Sequence, residues 1–294
     1  MGFTESEASK FSVDGTRLHF PKLGTVRIVL HTPIVGKPKR CTLRREAGGE
    51  WYASILLETE VDEPAAREEP MVAIDRGVVL LLADSDGRIV ENPKHLEQTA
   101  KVLARAQRIV ARRKKGSKNR EKAKLRVAKL HAKVSRQREY ALHQVSSEYA
   151  RDYGTVVLEK LKVANMTRSA KGTVEEPGKN VRAKAGLNRA ILGAAWGKFG
   201  EMLRYKMAWA GGRVVEVPAA YSSQTCSSCG HVDAASRVTQ AEFRCTSCGH
   251  EANADLNAAM VLKARGLRAV EAPAAAVKDV VRLRKVRVLT RKAA

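Results

Sequence analysis

Residues 71–91 read MVAIDRGVVLLLADSDGRIVE. Four apolar residues lead into Asp75, and Gly77 supports a sharp turn just after it. A second apolar run follows and ends in Ser85-Asp86-Gly87, which suits a tight hairpin connection. The stretch therefore reads as strand, turn, strand, turn, strand, with a carboxylate at the end of the first strand. Two later runs have the same character: YGTVVLEKLKV (153–163), a buried strand ending in Glu159, and RVVEVP (213–218). Helical patterns lie between them. Val127, Leu130, Val134, Ala141 and Val145 fall at helical spacing within residues 94–151, which read as two helices with KKGSKN (114–119) as the tip between them. Residues 187–211 read as one long amphipathic helix ended by Gly211 and Gly212. Residues 170–187 show no period and read as a mobile loop. Strands alternating with helices make this an α/β fold.

Upstream, residues 1–60 are β-rich. Val26, Ile28 and Leu30, then Ile55, Leu56 and Leu57, lie in short runs separated by Gly- or Pro-bearing turns. Three or four antiparallel strands fit, with too little core to stand alone. The acidic stretch ETEVDEPAAREEP (58–70) carries two prolines and breaks both periodicities, so residues 61–70 read as a linker.

The chain has 294 residues, a length that suits two domains and a small third module. At 44% hydrophobic residues it can bury a core. Lys and Arg number 54 against 31 Asp and Glu, a formal charge of +23 that points to a polyanionic partner, most simply nucleic acid. Residues 101–138 hold sixteen Lys or Arg and one acid, Glu121. Solvated helix faces usually mix signs and this one does not, so the helical hairpin is expected to contact phosphates. No apolar run approaches the ~18 residues of a membrane span, and MGFTESEASKF lacks the apolar core of a secretory signal. A cytoplasmic, nucleoid-associated protein of a bacterium is expected.

Cys226-x-x-Cys229 and Cys245-x-x-Cys248 are separated by fifteen residues, and Gly230 and Gly249 follow the second cysteine of each pair. This spacing lets four thiolates enclose one zinc ion in a closed, structural shell. His231 and His250 flank that shell and read as surface residues, and Cys41 as a free buried thiol. Asp75, Glu159 and Asp255 are the second signal. Acids at the ends of adjacent strands and at a helix start can converge at one sheet edge. Three such carboxylates hold two Mg²⁺, or Mn²⁺, ~3.5–4 Å apart for in-line attack on a phosphodiester. Each acid also has a plainer role open to it: Asp75 as a turn former, Asp255 as a helix N-cap, Glu159 as the polar end of a strand. Trp196 and Tyr205 read as core packing. Gln224 could touch a phosphate or cap a turn.

Taken in order, AIDRGV…DG, VVLEKLKV, LNRAILGAAWGKF…LRYK and YSSQTCSSCG…FRCTSCGHEANADLNAA resemble the TnpB (OrfB) family of bacterial insertion sequences, which is similar to the compact type V CRISPR effectors. The match runs from about Phe20 to Leu262. The resemblance implies an RNase H-like, RuvC-type nuclease domain over 71–222, with the basic hairpin inserted at 94–151. It implies a zinc ribbon at 223–252, the last nuclease motif and helix at 253–269, and a basic tail at 270–294. Residues 1–60 then form part of a β-rich wedge domain that grips the guide RNA scaffold. Asp75, Glu159 and Asp255 become the catalytic, Mg-binding acids, and Cys226, Cys229, Cys245 and Cys248 the zinc ligands. Asn188, Arg189 and Lys206 also match the family pattern. The implied activity is RNA-guided DNA cleavage, with a guide RNA made from the end of the element, in a family widely labelled transposase. Family members carry roughly a hundred further N-terminal residues that form a recognition lobe. A second chain, or a second copy in a homodimer, is one candidate source of that lobe. Two other functions share the scaffold: nucleic-acid binding without effective cleavage, and strand transfer with a 3′-hydroxyl as nucleophile.

Overall fold

A computed structural model describes residues 2–5, 11–20, 23–30, 32–60 and 62–271. The basic tail therefore lies outside the described residues from 272 onward. The described chain falls into two compact units: residues up to 63 together with 97–136, and residues 64–96 together with 137–271.

In the first unit, β1 (Gly2–Glu5) pairs with β5 (Lys37–Arg45), and β5 with β6 (Trp51–Glu58), all antiparallel. The intervening β2 (Ser12–Asp14), β3 (Arg17–Phe20) and β4 (Gly24–Arg27) form a second antiparallel sheet. Among the described residues there are thus six strands in two sheets, more than the three or four expected. The extra ones are short and mostly polar, with Leu18 and Phe20 alone in β3 pointing inward. Leu18, Phe20, Cys41, Leu43, Ala53 and Ile55 form the core, and the alternation of 41/43 and 53/55 puts one face of β5–β6 inside. α1 (His95–Arg112) and the first part of α2 (Lys118–Asp152) form the basic hairpin. Ser117 caps α2, its hydroxyl accepting from the Arg120 N–H at 3.2 Å. Arg136 on α2 pairs with Glu50 and lies over the Tyr52 ring, 5.8 Å from its centre.

The second unit is built on a five-stranded sheet in the order β11-β10-β7-β8-β9, from β7 (Met71–Arg76), β8 (Leu80–Asp84), β9 (Ile89–Glu91), β10 (Thr155–Lys160) and β11 (Arg213–Pro218). β7, β10 and β11 run parallel; β8 and β9 are antiparallel additions. The runs MVAI and TVVL are apolar throughout because both sheet faces are covered. Val72, Ile74, Val156 and Leu158 face one core with Leu142, Val145 and Tyr149 from the end of α2, and with α4 (Val181–Ala194) and α5 (Trp196–Trp209). Met71, Ala73, Val157 and Val217 face the other, with Leu262 of α6 (Ala254–Glu271). A four-residue helix, α3 (Val163–Met166), follows β10. The buried Asp84 carboxylate accepts from Tyr149 Oη at 2.6 Å and from the N–H groups of Asp86 and Arg88, which closes the β8–β9 turn.

Two expectations change. The loop ends earlier than expected, because Val181–Leu187 is helical. The long helix is two helices, broken at Ala195, which takes left-handed angles of φ 54 and ψ 42. Nothing at that position announces a break. It is held by tertiary contacts: Trp196 Nε1 donates to Gly77 O at 3.0 Å, and Trp196 O accepts from Arg76 Nη1 at 3.3 Å. Trp196 is buried and Tyr205 packs beside the same core, as expected. Asn188 donates to Thr167 O, and Lys206 to His143 O and two serine hydroxyls, so both serve packing; Arg189 is exposed.

α6 meets the sheet at Gly266. A Cβ there would lie 2.9 Å from Val157 Cγ1 and 3.2 Å from its Cβ. Gly266→Ala gains about 1 kcal/mol of helix propensity but overpacks the contact by about 1–3 kcal/mol. Overpacking wins on that comparison, and the variant is expected to melt a few degrees below wild type in a thermal denaturation scan.

Candidate active site and metal centre

The strand register assembles the acids. Ile74 pairs with Leu158 in the parallel β7–β10 ladder, so the next residues, Asp75 and Glu159, stand side by side at the C-terminal ends of their strands. The two-residue alternation puts both on the α6 face, with Met71, Ala73 and Val157. Asp255 lies in the first turn of α6. The capping role open to it is filled by Asn253, whose Oδ1 accepts from the N–H groups of Asp255 and Leu256 at 3.0 and 3.2 Å. The Asp255 carboxylate is thereby left for other partners.

Burial pushes the Asp75 carboxyl up to about 8, and the charges of Glu159 and Asp255 push the same way, against Arg237 and Arg76. Burial also raises Glu159, with Arg76 opposing it. Asp75 thus feels both Glu159 and Asp255, at a site that repels its own charge.

Two arginines offset that charge, and neither was singled out from sequence. Arg76 is buried. Its backbone N–H donates to Glu159 Oε1 at 3.2 Å, and its guanidinium donates to Glu159 O and Trp196 O. Arg237 lies between the cysteine pairs. It donates to Gln240 O at 2.9 Å and to Asp255 Oδ1 at 3.2 Å, with both side chains largely buried. Arg76 adjoins an acid in the sequence, which was a usable signal; Arg237 sits in a spacer with none.

The cysteines form a second centre. Their four Sγ atoms lie within 4.8 Å of one another, with Cys226–Cys248 at 3.7 Å and Cys229–Cys245 at 3.6 Å. Thiolates about 2.3 Å from a tetrahedral ion stand about 3.8 Å apart, so the set fits zinc. The two knuckles repeat each other. Cys226 N donates to His231 O and Cys245 N to His250 O, at 2.8 and 2.9 Å. Gly230 and Gly249 take φ of 77 and 73, the left-handed region where glycine is unstrained. The Cys248 N–H draws Cys245 down to about 6, toward the thiolate a metal needs. β12 (Glu242–Arg244) and β13 (Glu251–Asn253) close the module, and β13 leads directly into α6. Buried Asn257 fastens the module to α6, accepting from Ser227 N at 2.9 Å and donating to Thr225 O at 2.8 Å. His231 is exposed, as expected, and Cys41 is a fully buried thiol raised to about 11 by desolvation. Gln224 contributes its backbone carbonyl to Asp233 N.

Purified protein is expected to carry a single zinc ion by plasma mass spectrometry. Cys245→Ser should lose it and lower the melting temperature, since the shell and the start of α6 are continuous. A pH effect is expected as well. Unfolded Asp75 releases its proton near 4, the native group only at about 8. Between those values the native state holds the extra proton, so stability without divalent ions falls as pH rises from about 4 to 8. Asp75→Asn should flatten that dependence and melt above wild type at the alkaline end.

Residues 54–170 match the OrfB_IS605 family, described as "Probable transposase", and residues 196–262 match the "Cas12f1-like, TNB domain". The chain is 40% identical over 264 residues to "Putative RNA-guided DNA endonuclease InsQ" of Escherichia coli K12, covering 90% of this chain and 65% of that protein. It is 36% identical over 238 residues to a "Putative RNA-guided DNA endonuclease" of Streptomyces pristinaespiralis, covering 81% and 55%. The chain thus spans between half and two thirds of the length of these relatives. Its fold resembles that of the protein in a cryo-EM structure of a Cas12f1–sgRNA–target DNA complex, with a TM-score of 0.52 at 18% identity over 77% of this chain and 45% of the other. Over residues 54–170 the chain is thus similar to the OrfB family, and over residues 196–262 to the Cas12f1-like TNB domain.

Proposed function

We propose that this chain is the nuclease portion of an RNA-guided, metal-dependent DNA endonuclease associated with a transposable element. The observation that carries the reading is the register that sets Asp75 beside Glu159 on the sheet face covered by α6, whose first turn bears Asp255, together with similarity to relatives named as putative RNA-guided DNA endonucleases. The strand order β11-β10-β7-β8-β9, with α6 crossing one face, supports a RuvC-type domain over residues 71–222 and 253–269, with the zinc ribbon at 223–252.

The donor set suits hard divalent cations. Three carboxylates on a half-buried edge, one of them raised to about 8 by burial and by its neighbours, gain most from Mg²⁺ or Mn²⁺. Two such ions, when bound, supply an activated water and stabilise charge on the departing 3′-oxygen. The chain's own groups do the rest. Asp75 and Glu159 are fixed by the ladder, and Asp255 by the start of α6. Arg76 holds the Glu159 carboxylate and main chain in place. Arg237, already on Asp255, stands where it can also meet a phosphate oxygen. The zinc shell is closed by four thiolates and takes no chemical part. Guide RNA and target DNA are the partners in this reading, with the basic hairpin as a phosphate-contacting surface.

Asp75→Ala is expected to lower Mg²⁺-dependent cleavage of a guide-matched plasmid by well over the ~10–100-fold that second-shell changes reach, with zinc content unchanged. Cleavage at the wild-type rate would remove Asp75 from the reaction. Salt-sensitive DNA binding by the wild type with no Mg²⁺-dependent product would favour a binding protein instead.

A further inference from the structure

Near the tip of the basic hairpin an open hollow of about 290 Å³ lies between α1 and α2. Its floor is aliphatic, from Ala106, Ile109 and Ala123; its rim is Arg113, Asn119, Lys122 and Arg126. The tip is built rather than loose. Arg120 Nη1 donates to Arg113 O at 2.9 Å, and Ser117 Oγ to Lys114 O at 2.8 Å, folding the first turn of α2 back toward the end of α1.

The rim charges lack a structural reason of their own. The acid of this region, Glu121, is taken by Lys124 at 2.7 Å. Among the described residues, Arg113, Lys122 and Arg126 pair with no acid. Lys122 and Arg126 stand four residues apart on one helix face, where like charges destabilise the helix. Helix stability alone would favour a mixed pair there. A cationic rim around an aliphatic floor suits a ligand that is anionic at its edge and flat and apolar at its centre.

We propose that this hollow binds one unpaired nucleotide of a single-stranded nucleic acid. The base lies on the Ala106, Ile109 and Ala123 floor, and a guanidinium plane of the rim stacks on it. The flanking phosphates meet the remaining cations, and Asn119 offers a donor and an acceptor to the base edge. A volume at the low end of small-ligand sites suits a single nucleotide rather than a base pair. The inference deepens the reading of the hairpin as a nucleic-acid surface and rests on it, because phosphate attraction alone needs no hollow. The strand could be RNA or DNA, since both carry the same base and phosphate.

The test uses the full chain and fluorescence anisotropy with labelled oligouridylate, its deoxy counterpart, and an abasic oligomer of the same charge. Ala123→Leu fills the hollow and leaves the charge unchanged. It is expected to weaken binding of the base-bearing strands by about tenfold, the scale of one stacked base, and to leave the abasic oligomer unaffected. The double variant Lys122→Gln/Arg126→Gln should lose more affinity than Lys101→Gln/Arg105→Gln, an exposed pair with the same spacing outside the hollow. This comparison decides the matter if the leucine variant does not fold. The tighter of RNA and DNA identifies the source of the strand. Unchanged binding by Ala123→Leu, an equal loss on the abasic oligomer, or equal losses in the two double variants would overturn the nucleotide site while leaving the hairpin a charged surface. No single-strand binding by the wild type would overturn the hairpin reading itself.

Discussion

The parallel pairing of β7 with β10 is the constraint on which the candidate active site depends. Asp75 and Glu159 come from segments more than eighty residues apart, and only this ladder brings them together. A shift of one residue would turn one carboxylate to the opposite face of the sheet. Both faces are covered, so such a slip would also put the core residues of the shifted strand, Val72 and Ile74 or Val156 and Leu158, on the wrong side. The register that buries the core is therefore the register that builds the acid cluster. The cost is local: burial and like charge hold Asp75 out of its ordinary range, and Arg76 and Arg237 offset part of it.

α6 carries the third acid and joins the two centres. At one end Asn253 caps it and Asn257 ties it to the cysteine module. Further along, Gly266 lets it press onto Val157 of β10. The module delivers Arg237 back to Asp255, so a shell remote from any reaction still bears on the charge balance of the acids. This gives a physical reason for a four-cysteine module beside the acidic edge: a metal held there would fix a short, loop-rich insertion that could not bury enough apolar surface alone.

Much of this could be read from the chain. Short apolar runs ending in acids mark β7 and β10, and helical spacing marks α1 and α2. The cysteine spacing with its two glycines marks the module, because each signal reflects local chemistry. What escaped was set by tertiary contact. Ala195 has no local cause for its left-handed backbone; Trp196 and Arg76 hold it there. Arg237 lies in a spacer, and its partner is eighteen residues away on another element. Asp255 looked equally able to cap α6 until Asn253 was seen to do so. The β2–β4 sheet was hidden because its strands are three or four residues long and largely exposed.

The central claim is that Asp75, Glu159 and Asp255 form one divalent-cation site. Crystals grown with Mn²⁺ and measured at its absorption edge test it most directly. The account expects anomalous density within coordination distance of all three carboxylates, at about 2.0–2.3 Å, separate from the zinc at the four cysteines. Ordered carboxylates with no anomalous density among them, or Mn²⁺ bound elsewhere on the chain, would contradict it.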